Sequence, residues 1–102
     1  MLITNGTLII PVEYLEGRSP SEYTALTVSG EDLYPLYQDQ DILLVYKTDS
    51  YPVQTAIVFS DGLFLLGNVG EDLIFTPLNT KRPPISDFFI IGVPTLLIRK
   101  FS

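Results

Sequence analysis

The sequence predicts a small all-β barrel of short, mostly antiparallel strands with one short helical turn. Three observations carry the prediction. β-branched, aromatic and leucine residues gather in short runs, turn signals recur about every ten residues, and no stretch holds a helical period for long. A chain of 102 residues is one domain, residues 1–102. With 46% hydrophobic residues it has enough apolar surface for one core without metal or disulfide staples.

The elements follow in order. Thr7 to Val12 reads as a first strand, stopped by Pro11 and the acidic residues beyond it. Residues 16–22 form a polar loop, and Tyr23 to Ser29 alternates as a half-buried strand should. Gly30 ends that strand, and Glu31 to Tyr37 makes a helical turn with Pro35 near its start, where the missing N–H costs little. Asp41 to Tyr46 is a nearly continuous apolar strand, and Lys47 to Pro52 is a turn. Thr55 to Phe59 and Leu63 to Val69 flank Asp61-Gly62, a strong hairpin signal. Gly70-Glu71-Asp72 turns into Leu73 to Pro77, and Asn79 to Ser86 is a loop with two adjacent prolines. Phe88 to Val93 and Thr95 to Phe101 complete eight expected strands, a pattern of small barrels or packed sheets.

The composition excludes several function classes. There is no cysteine and no histidine, which removes disulfides, thiol catalysis, zinc fingers and histidine-based triads. Only six residues are basic against twelve acidic, a net charge of -6. Direct nucleic-acid binding needs a basic face and is not expected. No apolar run approaches the roughly 18–20 residues that span a bilayer, and no basic segment precedes Leu8-Ile9-Ile10 as in a signal peptide. The expectation is a cytoplasmic protein without a cofactor, a metal, a membrane or a small-molecule substrate.

The most specific motif is Val28-Ser29-Gly30-Glu31-Asp32-Leu33-Tyr34-Pro35, followed by Asp39-Gln40-Asp41 and an apolar strand. Further on come Tyr51-Pro52-Val53 before the Asp61-Gly62 hairpin, then Phe75-Thr76-Pro77-Leu78-Asn79 running into Arg82-Pro83-Pro84-Ile85. Ile90-Ile91-Gly92-Val93 and Ile98-Arg99 close the series. In order and spacing, from about Tyr23 to Phe101, these pieces resemble the LexA-like (S24 peptidase) C-terminal domains of LexA, phage repressors and UmuD-type proteins. The resemblance implies that family's small barrel without its separate DNA-binding domain.

That family cleaves with a Ser–Lys dyad, in which a lysine of lowered pKa takes the serine proton and the alkoxide attacks a peptide carbonyl. The resemblance places Asp32 where the family has its serine. The lysine position falls near Gly67, about six residues beyond Asp61 in the family's pattern. No lysine occurs between Lys47 and Lys81. An aspartate carboxylate is a poor nucleophile toward an amide and has no proton to give up. The resemblance therefore implies a pseudoenzyme.

Each remaining candidate has a plainer reading beside the functional one. Glu31, Asp32, Asp39 and Asp41 suggest a carboxylate cluster, or a solvated turn whose aspartates accept backbone amides. Asp32 alone suggests a binding point for a partner's cation, or a solvated side chain. Gly67-Asn68 marks a bulge or a close backbone approach. Phe88, Phe89, Ile98, Arg99 and Phe101 form a possible interface, with one of Phe88 and Phe89 assigned to the core because successive strand residues face opposite ways. Lys81-Arg82 is a solvated loop pair or a nucleic-acid contact.

The leading expectation is a catalytically inactive, phage-repressor-like domain that acts by dimerisation or protein–protein contact in transcription regulation, as a homodimer or with a repressor-type partner. Two alternatives stand beside it. One is a self-cleaving enzyme with a non-standard site, Ser29 and Ser60 being its candidate nucleophiles. The other is an acidic DNA mimic acting as an anti-repressor.

Overall fold

The structure, a computed structural model, describes residues 2–4, 6, 12–33, 36–48, 55–79 and 81–99. Among the described residues seven strands form one antiparallel sheet: β1 (Leu2–Thr4), β2 (Tyr23–Val28), β3 (Ile42–Lys47), β4 (Thr55–Ser60), β5 (Leu63–Val69), β6 (Phe75–Pro77) and β7 (Phe89–Ile98). The order β1-β2-β3-β7-β4-β5 closes on itself where Leu2 of β1 pairs with Phe64 of β5. The result is a six-stranded barrel, with β6 lying outside it on the far half of β5. Two 3-10 turns, Val12–Leu15 and Pro20–Glu22, are the only helical elements among the described residues, and no helix is long and apolar enough to cross a membrane.

Side-chain direction explains why the middle strands are apolar on both faces. Leu26, Val28, Leu43, Val45, Ile57 and Leu66 fill the barrel. On the outer face, Ala56 and Val58 of β4 lie under Phe75 of β6 together with Phe88 and Ile85. Leu44 of β3 lies under Leu15 of the first 3-10 turn and Tyr23. The Tyr23 hydroxyl donates to the Leu15 carbonyl at 2.8 Å, pinning that turn to the wall. A capping box between Ser19 and Glu22 shapes the entry into β2.

The hairpin at Asp61-Gly62 is as expected. Ser60 pairs with Leu63, and the two turn residues take φ of 52° and 79°, the left-handed geometry of a type I′ turn.

Three expectations about strands need correction. Val12 starts a 3-10 turn rather than ending a strand, while Thr7 to Pro11 lie outside the described residues. Leu73 belongs to a turn with φ of 61°, in which Asp72 Oδ1 accepts the Ile74 amide, so β6 starts only at Phe75. The two last strands are one. β7 runs through Pro94, which is tolerated because the register slips there: Leu44 faces Leu96 and Val45 faces Pro94, leaving Thr95 extra. The Thr95 hydroxyl donates to the Leu44 carbonyl at 3.3 Å, occupying the gap in the ladder. A second slip leaves Ile91 extra between the β4 partners Gly92 and Ile90. Two bulges in one strand supply the bend that closes a small barrel.

Candidate functional site

The segment between β2 and β3 is built by backbone pairing around one left-handed glycine. Gly30 has φ of 88°, and its amide donates to Asp39 Oδ1 at 2.8 Å. The Gln40 amide donates to the Val28 carbonyl, and the Tyr37 amide to the Leu33 carbonyl, closing the expected turn. Tyr34 and Pro35 lie outside the described residues. Leu33 is driven into the barrel core, which leaves Asp32 at the rim.

Asp32 lines a small cavity of about 60 Å³ together with Leu63 to Leu66 of β5, Asn79 and Arg82. A carboxylate and a guanidinium therefore line one cavity with a leucine-rich wall. The space suits a single small group, and neither charged side chain is a nucleophile toward an amide. Arg82, read from the sequence as a solvated loop cation, thus shares the cavity with Asp32.

Gly67 is not at a bulge. Its register is unbroken on both sides, opposite Ala56 and Pro77. The close approach is by the chain itself: a Cβ at Gly67 would collide with the Thr76 carbonyl and lie 2.7 Å from Phe75 Cζ. Glycine is needed there so that β6 and the Phe75 ring can lie flat on β5.

The aspartates of the loop face different ways. Asp39 accepts the Gly30 amide, and Asp41, only 1% exposed, accepts the Gln38 amide at 2.8 Å. Asp41 also receives Nε and Nη2 of Arg99 at 2.9 and 2.7 Å. The Arg99 hydrogen bonds, aided by the Gln38 amide, hold the Asp41 carboxyl below its ordinary range; Asp41 in turn raises Arg99. Among the described residues no group of three potential ligand side chains could hold a metal ion. Arg99, a candidate interface residue, is therefore committed to the fold through one face of its guanidinium and is partly exposed on the other.

Of the remaining interface candidates, Phe88 packs on Phe75 with ring centroids 5.8 Å apart, whereas Phe89 stands 72% exposed. One of the pair is packed and the other exposed, as expected, at the start of β7. Ile98 is half-buried opposite Ile42, and Phe101 lies outside the described residues. Of the candidate nucleophiles, the Ser60 hydroxyl donates to the Asp87 carbonyl at 2.8 Å, an acceptor that cannot take its proton for catalysis.

No protein-family model matches the chain, and no curated protein matches it either. Any role for these residues rests on their chemistry and placement.

A wider cleft, about 530 Å³, lies between the start of β4 and the second half of β7. Leu36, Tyr37, Leu43 and Leu78 line it with residues 94–97. No local signal in the sequence marks it, because its walls come from five separate segments. The Asp41–Arg99 pair escaped for the same reason: nothing local links residues 58 positions apart.

Proposed function

We propose that this chain is a non-catalytic, LexA-like interaction domain that acts through its surfaces in transcription regulation in the cytoplasm. It pairs with a second copy or with a repressor-type protein. The observation that supports this reading most directly is the cavity at Asp32. Its strand wall is Leu63 to Leu66, and Arg82, which also lines it, carries a guanidinium that stays protonated and cannot act as the general base that a serine–lysine mechanism requires. An acidic side chain in place of a hydroxyl, with no lysine among the described residues that line the cavity, favours binding over proton transfer.

Size-exclusion chromatography with light scattering tests the pairing. A concentration-dependent dimer is expected, and a strict monomer at high concentration counts against self-pairing. Incubation over a broad pH range followed by intact mass measurement tests the loss of chemistry. The mass stays unchanged on this reading, and a discrete self-cleavage product would defeat it.

A further inference from the structure

The barrel end that carries the Asp61-Gly62 hairpin presents an aromatic row with an acidic border. Phe59 of β4 is the register partner of Phe89 on one side and of Phe64 on the other. Facing partners on antiparallel strands project to the same side, so these rings belong to one cross-strand row. Phe59 and Phe64 pack with centroids 5.0 Å apart and are half-buried, while Phe89 is the uncovered end member at 72% exposure. Singly exposed apolar residues are ordinary on a protein surface; Phe89 differs in continuing a row of two half-buried rings.

Two exposed carboxylates border it. Asp61 follows β4 directly, and Asp87 precedes Phe89 by two residues. The Ser60 hydroxyl bond to the Asp87 carbonyl fixes the two segments side by side. Residues 60–64 and 86–90 contain no lysine or arginine, and on the Phe64 side Arg82 is accompanied by the carboxylate of Asp32 in the cavity that both line.

We infer that this end of the barrel docks a protein segment in which an apolar side chain is flanked by lysine or arginine. The inference rests on the interaction-domain reading above and deepens it by naming a surface and a chemistry. Charge selects the occupant. A second copy meeting the same patch about a two-fold axis would set the carboxylates of each copy against those of the other. An anionic membrane surface is repelled for the same reason. A basic-apolar segment covers Phe89 and places its cations on Asp61 and Asp87.

The test is an amide chemical-shift titration of the full chain with two short synthetic peptides. They share one leucine–phenylalanine centre and differ only in lysine or glutamate flanks. The lysine-flanked peptide is expected to shift the amides of residues 59–61 and 87–89. Phe89→Ser should weaken it at least about tenfold, and Asp61→Asn with Asp87→Asn about three- to tenfold, as should about 0.5 M salt. A native-like spectrum of each variant separates lost binding from lost fold. No shift with the lysine-flanked peptide, or equal shifts with both peptides, overturns the proposal. So does the same pattern on raising protein concentration alone, which would make a second copy the occupant. If the titration fails while light scattering finds a dimer, this surface is wrong and the interaction-domain reading stands.

Discussion

Asp41 and Arg99, 58 residues apart, are joined by two parallel hydrogen bonds of 2.9 and 2.7 Å. The pair ties the turn that enters β3 to the end of β7, next to the place where Ile42 and Ile98 start the ladder between those strands. A bidentate guanidinium–carboxylate contact has a directionality that a lysine cannot reproduce.

Acidification should expose this tie. The Asp41 carboxyl titrates lower in the folded chain than the about 3.9 of an ordinary aspartate. Its contribution is then fully present above about pH 4 and is lost as pH falls through the lower folded value. Asp41→Asn should cost about 1–3 kcal/mol at neutral pH and flatten the acid limb. Urea unfolding at pH 7 and at about pH 3 measures both, and an equal acid loss in the variant would assign the limb to other carboxylates. Arg99→Lys should recover only part of the stability, because one ammonium cannot serve both oxygens.

Gly67→Ala should lift β6 from the barrel. The added methyl meets the Thr76 carbonyl and the Phe75 ring, both held by the ladder to residues 67–69. A loss of about 1–3 kcal/mol is expected, with faster amide exchange at residues 75–77 than in β2 or β3. Uniform exchange across all strands would show that β6 adapts instead.

Asp32→Ser should not create a self-cleaving protein. The substitution restores a hydroxyl at the rim, yet no lysine stands among the described residues that line the cavity, and Arg82 stays protonated. Intact mass after prolonged incubation between about pH 7 and 10 is expected to equal that of the parent chain. Cleavage by this single variant would reveal a base elsewhere and reopen the enzyme reading.

The two exposed-versus-buried phenylalanines make a stability control. Phe75 is fully buried between the outer face of β4 and the loop after β6, so Phe75→Ala should cost about 3–5 kcal/mol. Phe89→Ser should stay within about 0.5 kcal/mol, as surface changes do. Thermal melts of both variants check the contrast. A large loss for Phe89→Ser would make it part of the core and remove it as a docking residue.

How far the sequence carries can be judged from particular elements. β2, β4 and β5 are legible because alternation and the Asp61-Gly62 pair are local signals, and β3 because an apolar run of that length fits a strand buried on both faces. β1 was missed because three residues carry no period, and its partners lie far along the chain. β7 was divided at Pro94, since a bulge that tolerates proline depends on the partner strand and not on the residues beside it. At the site, side-chain alternation implies that one of Phe88 and Phe89 is core, and closure decides that Phe89 is the exposed one. The placing of Asp32 and Arg82 on one cavity, and the pairing of Asp41 with Arg99, are products of closure and have no local trace.

The outer edge of β5 is divided between two neighbours. Its far half carries β6, and among the described residues its near half is joined to β1 through the single pair Leu2 and Phe64. The seam between β2 and β3, by comparison, runs over five pairs. Cooperative units part first where they are least laced. Strain or heat should therefore unroll this protein along the β1–β5 line into a curled ribbon. Its two newly bared margins could then be recaptured by another molecule's margins, making strand exchange its most accessible route to entanglement.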